Sequence, residues 1–328
     1  MKYNAFYYTL FSIGMLFALL SCDEYTKPEA IEVQKKVIKD DIYYENLRAY
    51  KRSDHAIAFG WFGGWTCSGA SAKNRLSTLP DSVDLVSIWG NWFNLNEAQQ
   101  EDLNNVRKNK GTKVLMCWIC QNVGDQIGAE HFEALPTHEE KIKAYAKAII
   151  DTIDKYGYDG FDIDYEPGYG AKGNITSEEN MEIFIKELGK YLGPQSGTDR
   201  ILVCDGEPYA LKAELGKYLN YCICQAYASW GNSDAKLNRY YDKCTYLEEF
   251  TPKKIIVTEN FESYWQNGGV DFIKDGVKMN SLEGMARWNP VDGRKGGVGT
   301  YHMEYEYIHN PDYKYLREAI QIMNPAVK

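Results

Sequence analysis

Apolar residues along this chain fall into two alternating rhythms. Eight short runs have strand character: HAIAFGWF (55–62), VDLVSIWG (83–90), TKVLMCWIC (112–120), YDGFDIDYE (158–166), RILVCDGE (200–207), YCICQAYAS (221–229), KKIIVTEN (253–260) and GGVGTYHME (296–304). They are rich in β-branched and aromatic residues. Between most of them the period lengthens to that of a helix. Residues 95–111 read as a helix, with Asn94 as N-cap and Gly111 as the stop. In 138–157, Ile142, Tyr145, Ala146, Ile149, Ile150 and Ile153 recur at helical spacing. Segment 177–193 carries Met181, Phe184, Ile185 and Leu188 on one face, and 312–324 reads as a last helix. Strands alternating with helices imply a parallel sheet. Eight such units in about 250 residues predict one closed (β/α)8 TIM barrel. An open doubly wound sheet would need a phosphate-binding glycine loop, and FGWFGG (59–64) is followed by no convincing helix.

Composition agrees with a large core: 328 residues, 44% hydrophobic and 14% aromatic. The 26 Tyr and 8 Trp each combine an apolar body with a polar tip, which suits sugar surfaces. A formal net charge of -9 with no basic stripe argues against nucleic-acid partners.

At the N-terminus, Lys2 precedes an apolar run through Leu20, too short for a membrane span and typical of a secretory signal. The following LLSC (19–22) resembles a bacterial lipobox. That resemblance implies loss of residues 1–21, lipidation of Cys22 and anchoring in the bacterial outer membrane, with Asp23 and Glu24 resembling the signal of surface-exposed lipoproteins of the Bacteroidetes. Several acyl chains on one residue anchor stably. Residues 22–50 then form a polar tether and lead-in, helical over 40–52, and 51–328 the barrel. Seven cysteines remain after Cys22, an odd number that cannot all pair within the chain. CWIC (117–120) has redox or metal spacing. On a strand, however, residues three apart face opposite sides, so buried free thiols are expected and no metal or cofactor.

The stretch DGFDIDYE (159–166) holds four acids in eight positions. Alternation on a strand sends Asp162, Asp164 and Glu166 one way and Phe161, Ile163 and Tyr165 the other. Unpaired carboxylates are too polar for the helix layer, so the acids should line the barrel axis. Glu166 lies nearest the C-terminal end of the strand, where barrel enzymes place their chemistry. Asp164 and Glu166 are roughly 6.6 Å apart along the strand and Asp162 roughly 13 Å from Glu166. Three confined acids cannot all ionise cheaply, so protons are retained.

This stretch resembles the DxxDxDxE signature of family-18 glycoside hydrolases. The resemblance implies a retaining, substrate-assisted mechanism. Glu166 would protonate the glycosidic oxygen, Asp164 would hold the substrate's 2-acetamido group, Asp162 would support Asp164, and Asp159 would be structural. QAYAS (225–229) resembles the family's sixth strand, with Gln225 and Tyr227 on one face and Tyr227 donating to the acetamido oxygen. Sugar contacts are expected from Trp61, Asn91, Trp118, Gln121 and Asn122.

Many chitinases of the family carry a large inserted module before the eighth strand and a Trp on it. Here about 40 residues, enough for one helix and loops, separate the last two strands, and TYHME places Tyr301 and His302 where that Trp would be. Both features resemble compact endo-β-N-acetylglucosaminidases. The expected partners are N-linked glycans or glycoproteins, cleaved by a monomer. The alternatives are a chitinase-like hydrolase and a non-catalytic surface glycan-binding protein on the same barrel.

Overall fold

The computed structural model describes residues 39–326; the signal segment, Cys22 and most of the tether lie outside them. Each of the eight expected strands forms. They are β1 (Ile57–Gly63), β2 (Leu85–Trp89), β3 (Lys113–Ile119), β4 (Gly160–Tyr165), β5 (Ile201–Gly206), β6 (Tyr221–Gln225), β8 (Ile255–Asn260) and β11 (Gly297–Tyr301). They close into one parallel barrel in the order β1-β11-β8-β6-β5-β4-β3-β2. Parallel strands need crossovers, and helices supply most of them.

Alternation divides the barrel wall. Ile57, Phe59, Trp61, Leu85, Leu115, Cys117, Val203, Ile223 and Ile256 fill the interior as one apolar cluster. The opposite parity, including Phe161, Ile163 and Tyr165, packs into a larger cluster under the helices. Gly160 opens β4 because its Cα faces the Ile201 backbone too closely for a side chain.

The helices of seven residues or more are α1 (Asp41–Lys51), α2 (Glu97–Asn105), α3 (His138–Tyr156), α4 (Glu178–Leu188), α5 (Asp234–Cys244), α6 (Ser281–Arg287) and α7 (Lys314–Met323). Helix α1 underpins the barrel floor: Lys51 Nζ donates to Val83 O and Thr112 Oγ1, and Tyr43 donates to Asp81. Helix α3 starts on a Thr137–Glu140 capping box and stops at Gly157, whose φ of 79° suits only glycine well.

Two local expectations are corrected. Asn96, not Asn94, caps α2, because Asn96 pairs reciprocally with Gln99 while Asn94 sits outside at φ 53°. The helix then widens into a π turn, Val106–Lys110, before ending at Gly111. Between β8 and β11 the chain forms more than one helix and loops. A hairpin, β9 (Asp271–Lys274) and β10 (Val277–Asn280), joins the two-residue strand β7 (Asn232–Ser233) in a small three-stranded sheet, followed by α6. This remains far smaller than a chitinase-type insertion domain. Among the described residues no helix is long and apolar enough to cross a membrane.

Candidate active site

Strand β4 presents its acids to the interior as alternation requires. Asp162 and Asp164 are buried at 0% and 3% exposure, and Glu166, one residue past the strand, is half-buried at the mouth. Asp162 Oδ2 accepts from Ser87 Oγ at 2.6 Å and from Trp61 Nε1 at 3.1 Å. The neighbouring strand adds a fourth acid. Asp205 lies in register with Asp164 and is fully buried. It accepts from Gln225 Nε2 at 3.0 Å and from the Cys117 thiol at 3.6 Å.

These carboxyls contact one another. Asp162 and Asp164 both hydrogen-bond Asp205, and Asp164 also hydrogen-bonds Glu166. A carboxyl–carboxyl hydrogen bond needs a shared proton, and burial supplies the reason to keep it. Asp162 is pushed up to about 6, chiefly by desolvation and against the hydrogen bonds it accepts. Asp164 is raised well above the usual range by burial first, then by Glu166 and Asp162. Asp205 is raised by burial, then by Asp164 and Asp162. Burial therefore favours the protonated carboxyls of Asp164 and Asp205. Oδ1 of Asp162 and Oδ1 of Asp164 are buried with no partner outside this acid network.

Above the acids is a cavity of about 220 Å³ lined by Trp61, Trp89, Ile119, Asp164, Glu166, Gln225, Tyr227 and Tyr301. It is smaller than the ~300 Å³ where pockets for drug-sized ligands begin, so it suits a single sugar unit. Its wall is aromatic. The Tyr301 ring lies 5.8 Å from Trp89, 6.1 Å from Trp61 and 6.3 Å from Tyr227. The Tyr227 hydroxyl meets Thr258, and burial, with Asp205 nearby, keeps it protonated. A larger cavity of about 660 Å³ lies at the opposite end, among Asp84, Asp159 and Arg107 on the barrel floor, away from the acids.

Of the expected sugar contacts, the structure brings Trp61, Gln225 and Tyr301 to this cavity beside Asp164, Glu166 and Tyr227. Trp118 is elsewhere. It has the opposite parity on β3, packs on Phe161 at 4.7 Å and donates from Nε1 to the Tyr145 hydroxyl on α3. Ile119 takes the place at the cavity. Asn91 lies past the end of β2, exposed, in a left-handed turn at φ 61°. Trp89, two residues earlier and in phase with Ser87, is the residue β2 contributes. Gln121 and Asn122 sit in the turn after β3, where Asp125 accepts from both backbone amides. Asp159 is structural in its contacts: it pairs with Arg107 at 2.7 Å and Lys113 at 3.4 Å. His302 pairs with Glu304 at 2.8 Å and stacks on Tyr305.

Asp205 and Trp89 were both readable from strand alternation. Glu207 was not, because its role is tertiary: it accepts from Gly168 N and braces the turn that follows Glu166. Gly206 is needed between them. Its φ is +79°, and a Cβ there would lie 2.8 Å from Glu166 Cγ. Among the described residues, Cys117, Asp162 and Asp205 place one possible metal-ligand atom each within 4.8 Å of the others. Burial first, then Asp162 and Asp205, raises the Cys117 thiol well above its ordinary range. The thiol therefore acts as a neutral donor within the acid network. All seven cysteines of the described residues are buried and unpaired.

An eight-stranded parallel barrel with a buried carboxylate row at its C-terminal mouth has its candidate chemistry where barrel enzymes carry theirs, and the sequence says which class it is. The profile for glycoside hydrolase family 18, BT1044-like, matches residues 23–322, and the chain belongs to that family. A curated relative, endo-β-N-acetylglucosaminidase F2 of Elizabethkingia meningoseptica, is 27% identical over 90% of both chains. A solved glutamate-to-glutamine variant of BT1044 superposes with a TM-score of 0.80 at 36% identity, covering 87% of this chain and 93% of the other. The endo-β-N-acetylglucosaminidase of Cordyceps militaris shares the fold, with a TM-score of 0.64 at 20% identity over 87% of this chain and 97% of the other.

Proposed function

We propose that this family-18 hydrolase cleaves the GlcNAc-β-1,4-GlcNAc bond of the N-glycan core with retention, acting as an endo-β-N-acetylglucosaminidase. The observation that carries the reading is the arrangement of Asp162, Asp164 and Glu166, with Asp164 and Glu166 lining a single-sugar cavity and Asp162 buried below them. An acetamido group entering that cavity brings its N–H to Asp164. Accepting from it, Asp164 orients the acetamido carbonyl towards the anomeric carbon. Tyr227 donates to that oxygen from the other side. As the carbonyl oxygen forms its bond to the anomeric carbon, the glycosidic C–O bond breaks and Glu166 delivers its proton to the leaving oxygen. The electron pair of the broken bond stays with that oxygen, and the positive charge resides on the cyclic oxazolinium. Glu166, now a carboxylate, takes a proton from water. The water oxygen bonds to the anomeric carbon on the face that the leaving group vacated, the bond from that carbon to the acetamido oxygen breaks and the neutral acetamide is restored, so two inversions leave the configuration retained.

The N-glycan assignment is supported by the absence of a large insertion before β11, by Tyr301 at its end, and by the name of the Elizabethkingia relative. LLSC supports a lipid anchor on Cys22 in the bacterial outer membrane. Incubation with glycoproteins tests the enzyme. Release of glycans ending in a single reducing GlcNAc is expected, and Glu166→Gln should bind the glycan without releasing it. Cleavage of chitin oligomers alone would assign a chitinase, and binding without release by the folded wild type would leave only a glycan-binding protein. Incorporation of a labelled fatty acid, lost in Cys22→Ala, tests the anchor.

A further inference from the structure

Beside the acid cavity lies a second one of about 320 Å³, and Tyr227 lines both. Its walls come from the turns after β4, β5 and β6 and from α5. Tyr169, three residues beyond Glu166, meets the hydroxyls of Tyr209 and Tyr240. The Tyr209 and Tyr240 rings are 6.3 Å apart and tilted. Trp230, on the turn after β6, is 97% exposed at the rim.

The charge of this groove runs against that of the chain. Lys236, Arg239, Tyr240 and Lys243 follow one another at three- and four-residue spacing, so α5 turns one cationic face to the groove. No acid lines it, although the whole chain carries a net charge of -9. Lys243 Nζ lies 4.2 Å from the Tyr209 ring centre, and Lys236 is tethered to Gly231 O. Among the described residues neither Arg239 nor Lys243 forms an ion pair. Aromatic faces beside an unpaired guanidinium suit a pyranose ring bearing an anionic group: the ring stacks, and the guanidinium binds the anion in a two-pronged fashion.

We propose that this groove is a second saccharide subsite that selects glycans bearing an acidic substituent, a carboxylate or a phosphate or sulfate ester, on a sugar beyond the cleaved unit. It rests on the reading of the adjacent cavity as a glycan site, and it names the substrate class. The groove adds affinity where the barrel's overall negative charge would otherwise repel an acidic glycan, and salt screens this effect.

The test uses Glu166→Gln, so that substrate persists, and direct titration with matched pairs. One pair is a sialylated biantennary glycopeptide and its desialylated form; the other is a phosphorylated high-mannose glycan and its neutral parent. At low salt at least one acidic form should bind about fourfold more tightly than its partner, since Arg239 and Lys243 each offer one exposed charge pair and each such pair contributes a factor of about two. Which pair responds identifies the acid. The ratio should fall to about one in 0.5 M salt and when Arg239→Gln and Lys243→Gln are added. Any loss common to both members of a pair cancels, so the ratio reads the groove alone. Equal binding within both pairs, or a ratio that survives the double substitution, overturns the subsite. Wild-type protein that cleaves none of the four while the ratio behaves as expected refutes the hydrolase reading and leaves the subsite standing.

Discussion

Replacing Asp162 by Asn should make the protein more stable at neutral pH and a worse catalyst at once. Asp162 is fully buried, and burial lifts it from 3.8 to about 6. At about 1.4 kcal/mol per pH unit, a rise of that size corresponds to about 3 kcal/mol. The unfolded chain releases this proton near pH 4 and the folded chain only near pH 6. Between the two the folded state binds more protons, so stability falls as pH climbs through that window. Below it the carboxyl is neutral in both states and carries no penalty. Above it the full penalty of about 3 kcal/mol applies. Asparagine has nearly the same shape and no charge to bury. Its oxygen can still accept from Ser87 and Trp61, and its amide can donate towards Asp205. Relative to wild type, the variant is expected to gain about 3 kcal/mol between pH 4 and pH 7, or roughly 6–10 °C in Tm for a chain of this size. Urea titrations at pH 4, 5, 6 and 7 measure it. Only the change in the gap counts, because any fixed packing difference is the same at every pH. A gap that stays constant, or narrows as pH rises, refutes the argument that Asp162 is held against its solvation preference. Activity should fall in the same variant, because Asp162 can no longer exchange a proton with the network that holds Asp164. Stability gained with rate lost marks a residue kept for chemistry.

Asp164→Asn should lower kcat by about 10²–10³, the usual loss when one electrostatic contact to the developing charge is removed; a mild loss would mean that the acetamido role is misassigned. Tyr227→Phe removes a single hydroxyl and should reduce kcat/KM by about 10- to 100-fold with Tm nearly unchanged, and unaltered kinetics would remove it from the mechanism. Gly206→Ala forces a side chain into a left-handed position against Tyr165 O and Glu166 Cγ; it should lower both Tm and kcat, and a fully active variant would show that Glu166 needs no such support. Trp118→Phe breaks the bond to Tyr145 at a residue that does not line the cavity, so Tm should fall while KM holds, and a raised KM would restore Trp118 to the sugar site.

The barrel was legible because its evidence is local and repeated eight times. Each strand announces itself by β-branched runs, and alternation alone decides which residues point inward. The same rule carries Asp162, Asp164 and Glu166 to the axis, since any other assignment would press bare carboxylates into the helix layer. Applied consistently, it would also have selected Trp89 over Asn91, Ile119 over Trp118, and Asp205. Asn91 and Gln121 lie beyond the ends of β2 and β3, where the chain turns and strand alternation no longer fixes which way a side chain points. In the α2 region the capping pair Asn96–Gln99 was present in the sequence too, but several asparagines compete there and only the formed reciprocal bonds choose between them.

By itself, then, the sequence determined the periodicities, and with them the closed sheet, the inward acid row and the family whose signature that row matches. Tertiary structure alone decided how those acids share protons. Asp205 and Asp164 meet only because β4 and β5 pair in one particular register. Glu207 braces the turn after Glu166 across that same pair of strands. The cationic groove beside Tyr227 likewise exists only where three turns and the face of α5 converge. Periodicity is a property of neighbours along the chain, whereas proton sharing and cavity walls depend on distances between residues that the chain keeps far apart.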